Sequence, residues 1–118
     1  MSDEVFWLYE VAVKPGQASP LRKLMAELIE SARGEPGALA YQWSLSDDDR
    51  TAHIYERYTD SAATLTHIAA FRETFAQRFL AAVELTRVVV YGTPNAEVRD
   101  ALMAMHPVYM SAIAGFAL

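Results

Sequence analysis

The stretch Glu35–Tyr58, EPGALAYQWSLSDDDRTAHIYERY, restricts the fold more than any other part of the chain. Two runs of alternating apolar residues, about Ala38–Ser46 and Thr51–Thr59, flank a short acidic turn. Short polar side chains accept tight turn geometry, and the aromatic and β-branched residues beside them suit a pleated surface. The stretch therefore reads as a β-hairpin at the centre of a sheet, entered through the turn Glu35-Pro36-Gly37. By the two-residue period, Leu39, Tyr41, Trp43 and Leu45 share a face of its first strand. On its second strand Ala52, Ile54, Glu56 and Tyr58 share one face, and His53, Tyr55 and Arg57 the other.

The flanking segments supply partners for this hairpin. Val5–Val13 (VFWLYEVAV) is a strand ended by Lys14-Pro15-Gly16, and it is apolar on both faces. Ser19-Pro20 predicts the start of a helix whose apolar stripe is Leu21, Leu24, Met25, Leu28, Ile29 and Ala32, with Gly34 ending it in a left-handed conformation. Asp60-Ser61 caps a second helical pattern, Ala62, Leu65, Ile68, Ala69, Phe71, Phe75 and Phe79, which changes phase near Ala70 and so is either one broken helix or two short ones. Val83–Gly92 is a fourth strand, and Thr93-Pro94-Asn95 caps a third helix to about Met105. Pro107–Leu118 carries no charge. Its apolar side chains, each worth about 1.5–3 kcal/mol when buried, are expected to dock on the sheet or on a partner.

This order, βαββαβ, is an α+β, ferredoxin-like split βαβ arrangement: a four-stranded antiparallel sheet with helices on one face, plus a C-terminal helix and apolar tail. A sheet apolar on both sides needs a second cover, and in a chain of 118 residues that cover is expected to be a second copy. One domain, 1–118, is expected, with its core at about 5–92 and an extension at about 93–118.

Charge and composition narrow the function. A net charge of -5 with ten Lys plus Arg gives no basic face for a nucleic-acid backbone or an anionic lipid surface. The absence of cysteine excludes disulfides, thiolate chemistry and Cys-based zinc sites, and it fits a reducing compartment. The acidic N-terminus does not read as a signal peptide, and no apolar run is long enough for a membrane span. A cytoplasmic protein with no membrane partner is expected.

Val13-Lys14-Pro15-Gly16, Glu35-Pro36-Gly37, Tyr41, Glu56, Tyr58, Ala63 and His67 together resemble the antibiotic biosynthesis monooxygenase family, within the dimeric α/β barrel superfamily, over about residues 5–92. The resemblance implies a homodimer with facing sheets and a ligand cavity between sheet and helices in each subunit. It also implies activities ranging from cofactor-free oxygenation of electron-rich phenols and quinols to haem degradation. Catalytic relatives commonly use an asparagine on the first strand and a tryptophan on the second helix; here Val5–Val13 has no asparagine and Ser61–Ala82 no tryptophan.

The candidate residues follow from chemistry. His67, as a neutral imidazole, would accept a phenolic proton or ligate haem iron, or it is a structural histidine. Tyr41 or Tyr58 would position the oxygen function. Tyr9, Trp43, Glu56, Phe71 and Phe75 are candidate ligand-binding residues, since flat aromatic walls suit a flat substrate, although the same aromatics also simply fill strands and cores. Glu56 and Arg57 lie within a central strand and need partners. Arg87 is one candidate partner for Glu56, or an anchor for an anionic ligand. Asp47, Asp48 and Asp49 lack the spacing of a calcium loop and read as a solvated turn. The expected function is a cofactor-independent monooxygenase of a small aromatic or quinol-like compound, with no cofactor and no metal; the alternatives are a non-catalytic ligand-binding dimer and, behind both, haem degradation.

Overall fold

Strand β1 (Val5–Val13) occupies the middle of the sheet because both of its edges are paired, antiparallel to β3 (Thr51–Tyr58) on one side and to β4 (Val83–Gly92) on the other. The hairpin strand β2 (Ala38–Leu45) pairs outside β3. The computed structural model, which describes residues 2–117, adds a fifth strand, β5 (Val108–Met110), parallel to β4. The order is β2-β3-β1-β4-β5, so the expected four antiparallel strands are present and a short parallel one extends them. The fold is α+β and ferredoxin-like. Part of the charge-free C-terminal segment thus docks on its own sheet, while Ile113 and Phe116 beyond it stay 97% and 87% exposed in the single chain.

The helices α1 (Ala18–Arg33), α2 (Ser61–Thr74), α3 (Ala76–Ala82) and α4 (Ala96–Leu102) cover one face of this sheet, and a 3-10 turn, Met103–Met105, follows α4. The phase change near Ala70 resolves into two helices, α2 and α3, joined at Phe75. α1 buries Leu21, Leu24, Leu28 and Ala32 of the predicted stripe, the three leucines in one cluster with Val11, Ala52 and Ile54 of the sheet, while Met25 and Ile29 are half-buried. The helix begins two residues earlier than Ser19-Pro20 predicts, with Gln17 and not Ser19 at the N-cap, and Leu21 N–H donates to Gln17 O at 2.9 Å. Pro20 therefore lies in the first turn, where a missing N–H costs nothing. Asp60 and Asn95 cap α2 and α4 through side-chain oxygens that accept from Ala63 N–H at 2.8 Å and Val98 N–H at 2.9 Å.

Three local expectations change. Gly34 ends α1 in right-handed geometry, φ -83°, and the left-handed position falls at Gly37, φ +85°. The β2–β3 register slips between Ala38 and Ala40, so Leu39 leaves the face of Tyr41 and is 52% exposed. Arg87 sits beside Glu10 in the register and is exposed, away from Glu56. Arg57 pairs with Glu4 and lies over the Phe6 ring. The acidic turn is solvated as expected, with Asp48 accepting from Ser46 Oγ and Arg50 N–H. No helix among the described residues is long and apolar enough to cross a membrane.

Candidate functional site

The buried face of α2 is only partly the predicted apolar one: Ile68 is buried, and Leu65 and Phe71 are half-buried. Ala62 and Ala69 are exposed, whereas Thr64, His67 and Ile68 point at the sheet. Thr64 can be buried because its hydroxyl donates to Asp60 O at 2.8 Å. His67, only 7% exposed, is held from both ends: Nδ1 lies 2.8 Å from Glu35 Oε1 and Nε2 lies 2.9 Å from Glu56 Oε1. Glu35 is placed by the turn that precedes β2. Glu56, 2% exposed, comes from β3, where the alternation places it on one face with Ile54 and Tyr58. The Tyr58 hydroxyl also donates to Glu56 Oε1, at 2.7 Å. Both donors converge on Oε1.

This geometry fixes the charge of the ring. A neutral imidazole has one N–H and one lone pair, so it would set a lone pair against one of the two carboxylates; an imidazolium satisfies both. Burial is the strongest single influence and opposes the charge. The hydrogen bonds and charges of Glu35 and Glu56 together outweigh it and raise the pKa from 6.5 to about 9. His67 is therefore an imidazolium near neutral pH rather than the neutral base expected from its type. The phenols beside it are held protonated: burial, then the Glu56 charge, pushes the pKa of Tyr9, Tyr41 and Tyr58 upward.

A cavity of about 210 Å³ opens against this unit. Tyr9, Tyr41, Glu56 and Leu85 form its sheet wall, His67, Phe71 and Arg72 its α2 wall, and Ala101, Leu102 and Met105 the wall contributed by the C-terminal extension. Five of the candidate residues thus meet here: Tyr9, Tyr41, Glu56, His67 and Phe71. Tyr58 stands behind Glu56 and stacks near His67, with ring centroids 5.1 Å apart. Trp43 donates to the Tyr41 hydroxyl at 3.2 Å and meets Phe79 edge-on, so it buttresses a wall. Phe75 packs in the core with Leu21 and Leu24.

Glu35, Arg72 and the C-terminal wall do not stand out in the sequence. Glu35 is visible there only as part of a turn motif, and nothing in spacing links it to a histidine 32 residues away. Arg72 lies one helical turn after Ile68, so that the rows Ile68–Arg72 and His67–Phe71 both border the cavity, a relation that depends on which face of α2 is buried. Both His67 nitrogens are engaged, so ligating haem iron would break one of the two ion pairs. The two carboxylates flank the ring and do not converge, and among the described residues no cluster of three or more ligating side chains is arranged around a metal position.

A split βαβ sheet with a ligand-sized cavity between sheet and helices defines the class, and sequence comparison gives the family. Residues 5–70, more than half of the chain, match the profile for antibiotic biosynthesis monooxygenases, and the chain belongs to that family. No curated protein matches the sequence. Among solved structures, MupZ from Pseudomonas fluorescens is similar over 100% of this chain and 91% of its own, with TM-score 0.89 and 22% identity. Protein SO0527 from Shewanella oneidensis covers 77% of this chain and 91% of its own, with TM-score 0.67 and 28% identity. A mutant of SnoaB, a cofactor-independent oxygenase from Streptomyces nogalater, covers 75% and 91%, with TM-score 0.66 and 18% identity. The full-length match to MupZ includes the C-terminal extension that closes the cavity here.

Proposed function

We propose that this protein is a cofactor-independent monooxygenase that oxidises a small, electron-rich aromatic or quinol-like compound in this cavity. The observation that carries the reading is the buried Glu35–His67–Glu56 unit, with His67 and Glu56 lining a mostly apolar chamber. The substrate hydroxyl donates to the Glu56 carboxylate and transfers its proton there. The unit, with one imidazolium between two carboxylates, carries a net negative charge before the transfer and none after it. The resulting substrate anion lies close to the His67 imidazolium, in surroundings where charge–charge interactions are stronger than in water. Tyr41 and Tyr9, held as neutral phenols, are donors for the developing oxyanion.

The anion passes an electron to dioxygen, and the resulting pair combines at carbon. Glu56 returns its proton to the distal oxygen of the peroxide, and loss of water, which takes the hydrogen of the same carbon, gives a hydroxylated quinone or a new ring carbonyl. One oxygen atom enters the product, the other leaves as water, and the substrate supplies all four electrons. The protein's task is to place the ring, keep it dry and accept the proton. Oxygen uptake by purified protein over a panel of hydroquinones tests this; no protein-dependent uptake with any of them, in the presence of ligand binding, favours the second reading, a dimer that binds without oxidising. That reading is motivated by the missing strand asparagine and helix tryptophan.

The active unit in this reading is a homodimer in the cytoplasm. The sheet face opposite the helices carries a Phe6–Tyr91 stack at 5.2 Å, with Leu8 paired to the buried Val89 beside it; Phe6, Leu8 and Tyr91 are half-buried in the single chain. Light scattering at micromolar concentration is expected to give twice the chain mass, and a monomer mass would overturn this part.

A further inference from the structure

We propose that the cavity selects aromatic hydroxy acids and that Arg72 is the residue that recognises the acid group. This rests on the cavity reading above and names the substrate class within it. The chamber is polarised. Glu56 presents a hydrogen-bond acceptor at the sheet, Arg72 presents a cation at the end of α2, and the remaining walls are mostly apolar. The other cation in the lining, His67, is already balanced by two carboxylates.

Arg72 is exposed and, like Arg33, Arg50, Arg87 and Arg99, makes no ion pair among the described residues, where Arg22, Arg57 and Arg78 pair with Asp49, Glu4 and Glu27. What sets it apart is its place in the cavity lining, where it donates from Nη2 to the backbone oxygen of Ala101. That contact holds the guanidinium at the seam between α2 and α4 and uses one of its five N–H groups, leaving others for a planar carboxylate. Its charge reaches inward as well: burial drives the Tyr9 pKa up, and Arg72 acts on the same phenol in the opposite direction. A cavity of about 210 Å³ lies below the roughly 300–1,000 Å³ of drug-sized sites, so the acid sits on one or two fused rings. The ligand that matches every wall has a hydroxyl for Glu56, a flat ring for Phe71 and Tyr41, and a carboxylate for Arg72.

Calorimetric titration of the full chain with hydroxynaphthoic acid isomers, their methyl esters and unsubstituted naphthols tests this without requiring turnover. At least one acid is expected to bind about tenfold or more tightly than its ester, as a charge-assisted contact implies. In R72Q the preference for the acid over its ester is expected to disappear, with a thermal melt showing that the variant is folded; R72K is expected to keep a preference for the acid. Esters binding as well as acids to the unaltered protein, or an acid preference that survives R72Q, would overturn the role of Arg72 and leave the cavity reading standing. Failure of acids, esters and naphthols alike would overturn both.

Discussion

The Glu35 carboxylate lies 2.8 Å from Nδ1 of His67, a residue 32 positions later in the chain. This contact makes the His67 proton a part of the folding energy. A histidine whose pKa is raised on folding contributes stability that is complete below its unfolded value and is lost as pH rises through the folded value. The window here runs from 6.5 to about 9. Across it, urea denaturation is expected to show a loss of about 3 kcal/mol, because each tenfold difference in proton affinity between the folded and unfolded chain is worth about 1.4 kcal/mol. H67Q is expected to remove this pH dependence.

The two carboxylates act together against the burial of the ring. Removing either one, in E35Q or E56Q, is expected to lower the His67 pKa by about 1–3, the usual effect of one adjacent opposite charge. NMR titration of the His67 ring measures it. A value that stays near 9 in both variants would contradict the arrangement described.

Tyr58 holds the Glu56 oxygen that also faces His67. Y58F removes a hydrogen bond to a buried carboxylate and is expected to cost about 1.5–3 kcal/mol in a thermal or denaturant melt. Y41F is the control, because the Tyr41 hydroxyl accepts from Trp43 on the half-buried wall, and a smaller loss is expected there.

Gly37 sets the entry to the hairpin. With φ +85°, a Cβ there would lie 2.7 Å from Ala63 Cβ and 2.8 Å from Thr59 Oγ1. G37A is expected to destabilise by about 1–3 kcal/mol. Because the same turn carries Glu35, it is also expected to lower the His67 pKa. Loss of stability with the His67 titration unchanged would separate the turn from the site.

Much of the fold is legible in the sequence because strand alternation and helix stripes are local signals. The hairpin, the buried stripe of α1 and the shared face of Ile54, Glu56 and Tyr58 all follow from period alone. The features that escape a local reading depend on distant parts of the chain. Leu39 looks like its neighbours until the register with β3 slips beside it. β5 is too short to announce itself and exists because the edge of β4 is free. The periodicity of α2 holds at Ile68 and misleads at Ala62 and Ala69, which face solvent while Thr64 and His67 turn inward, as polar groups do when partners satisfy them. His67 stands out by type; its partner Glu35 does not, since only the closed sheet brings the turn to the helix.

The wall that α4 and the following turn lend to the cavity has a consequence for how such a protein diversifies. His67 and Glu56 are buried in the core, where replacing either is expected to cost stability. The cavity lining also includes Leu80 of α3 and Ala104 of the turn, both exposed, where most substitutions cost the fold little. The shape of the cavity mouth can therefore drift over generations while the buried side chains beneath it stay fixed.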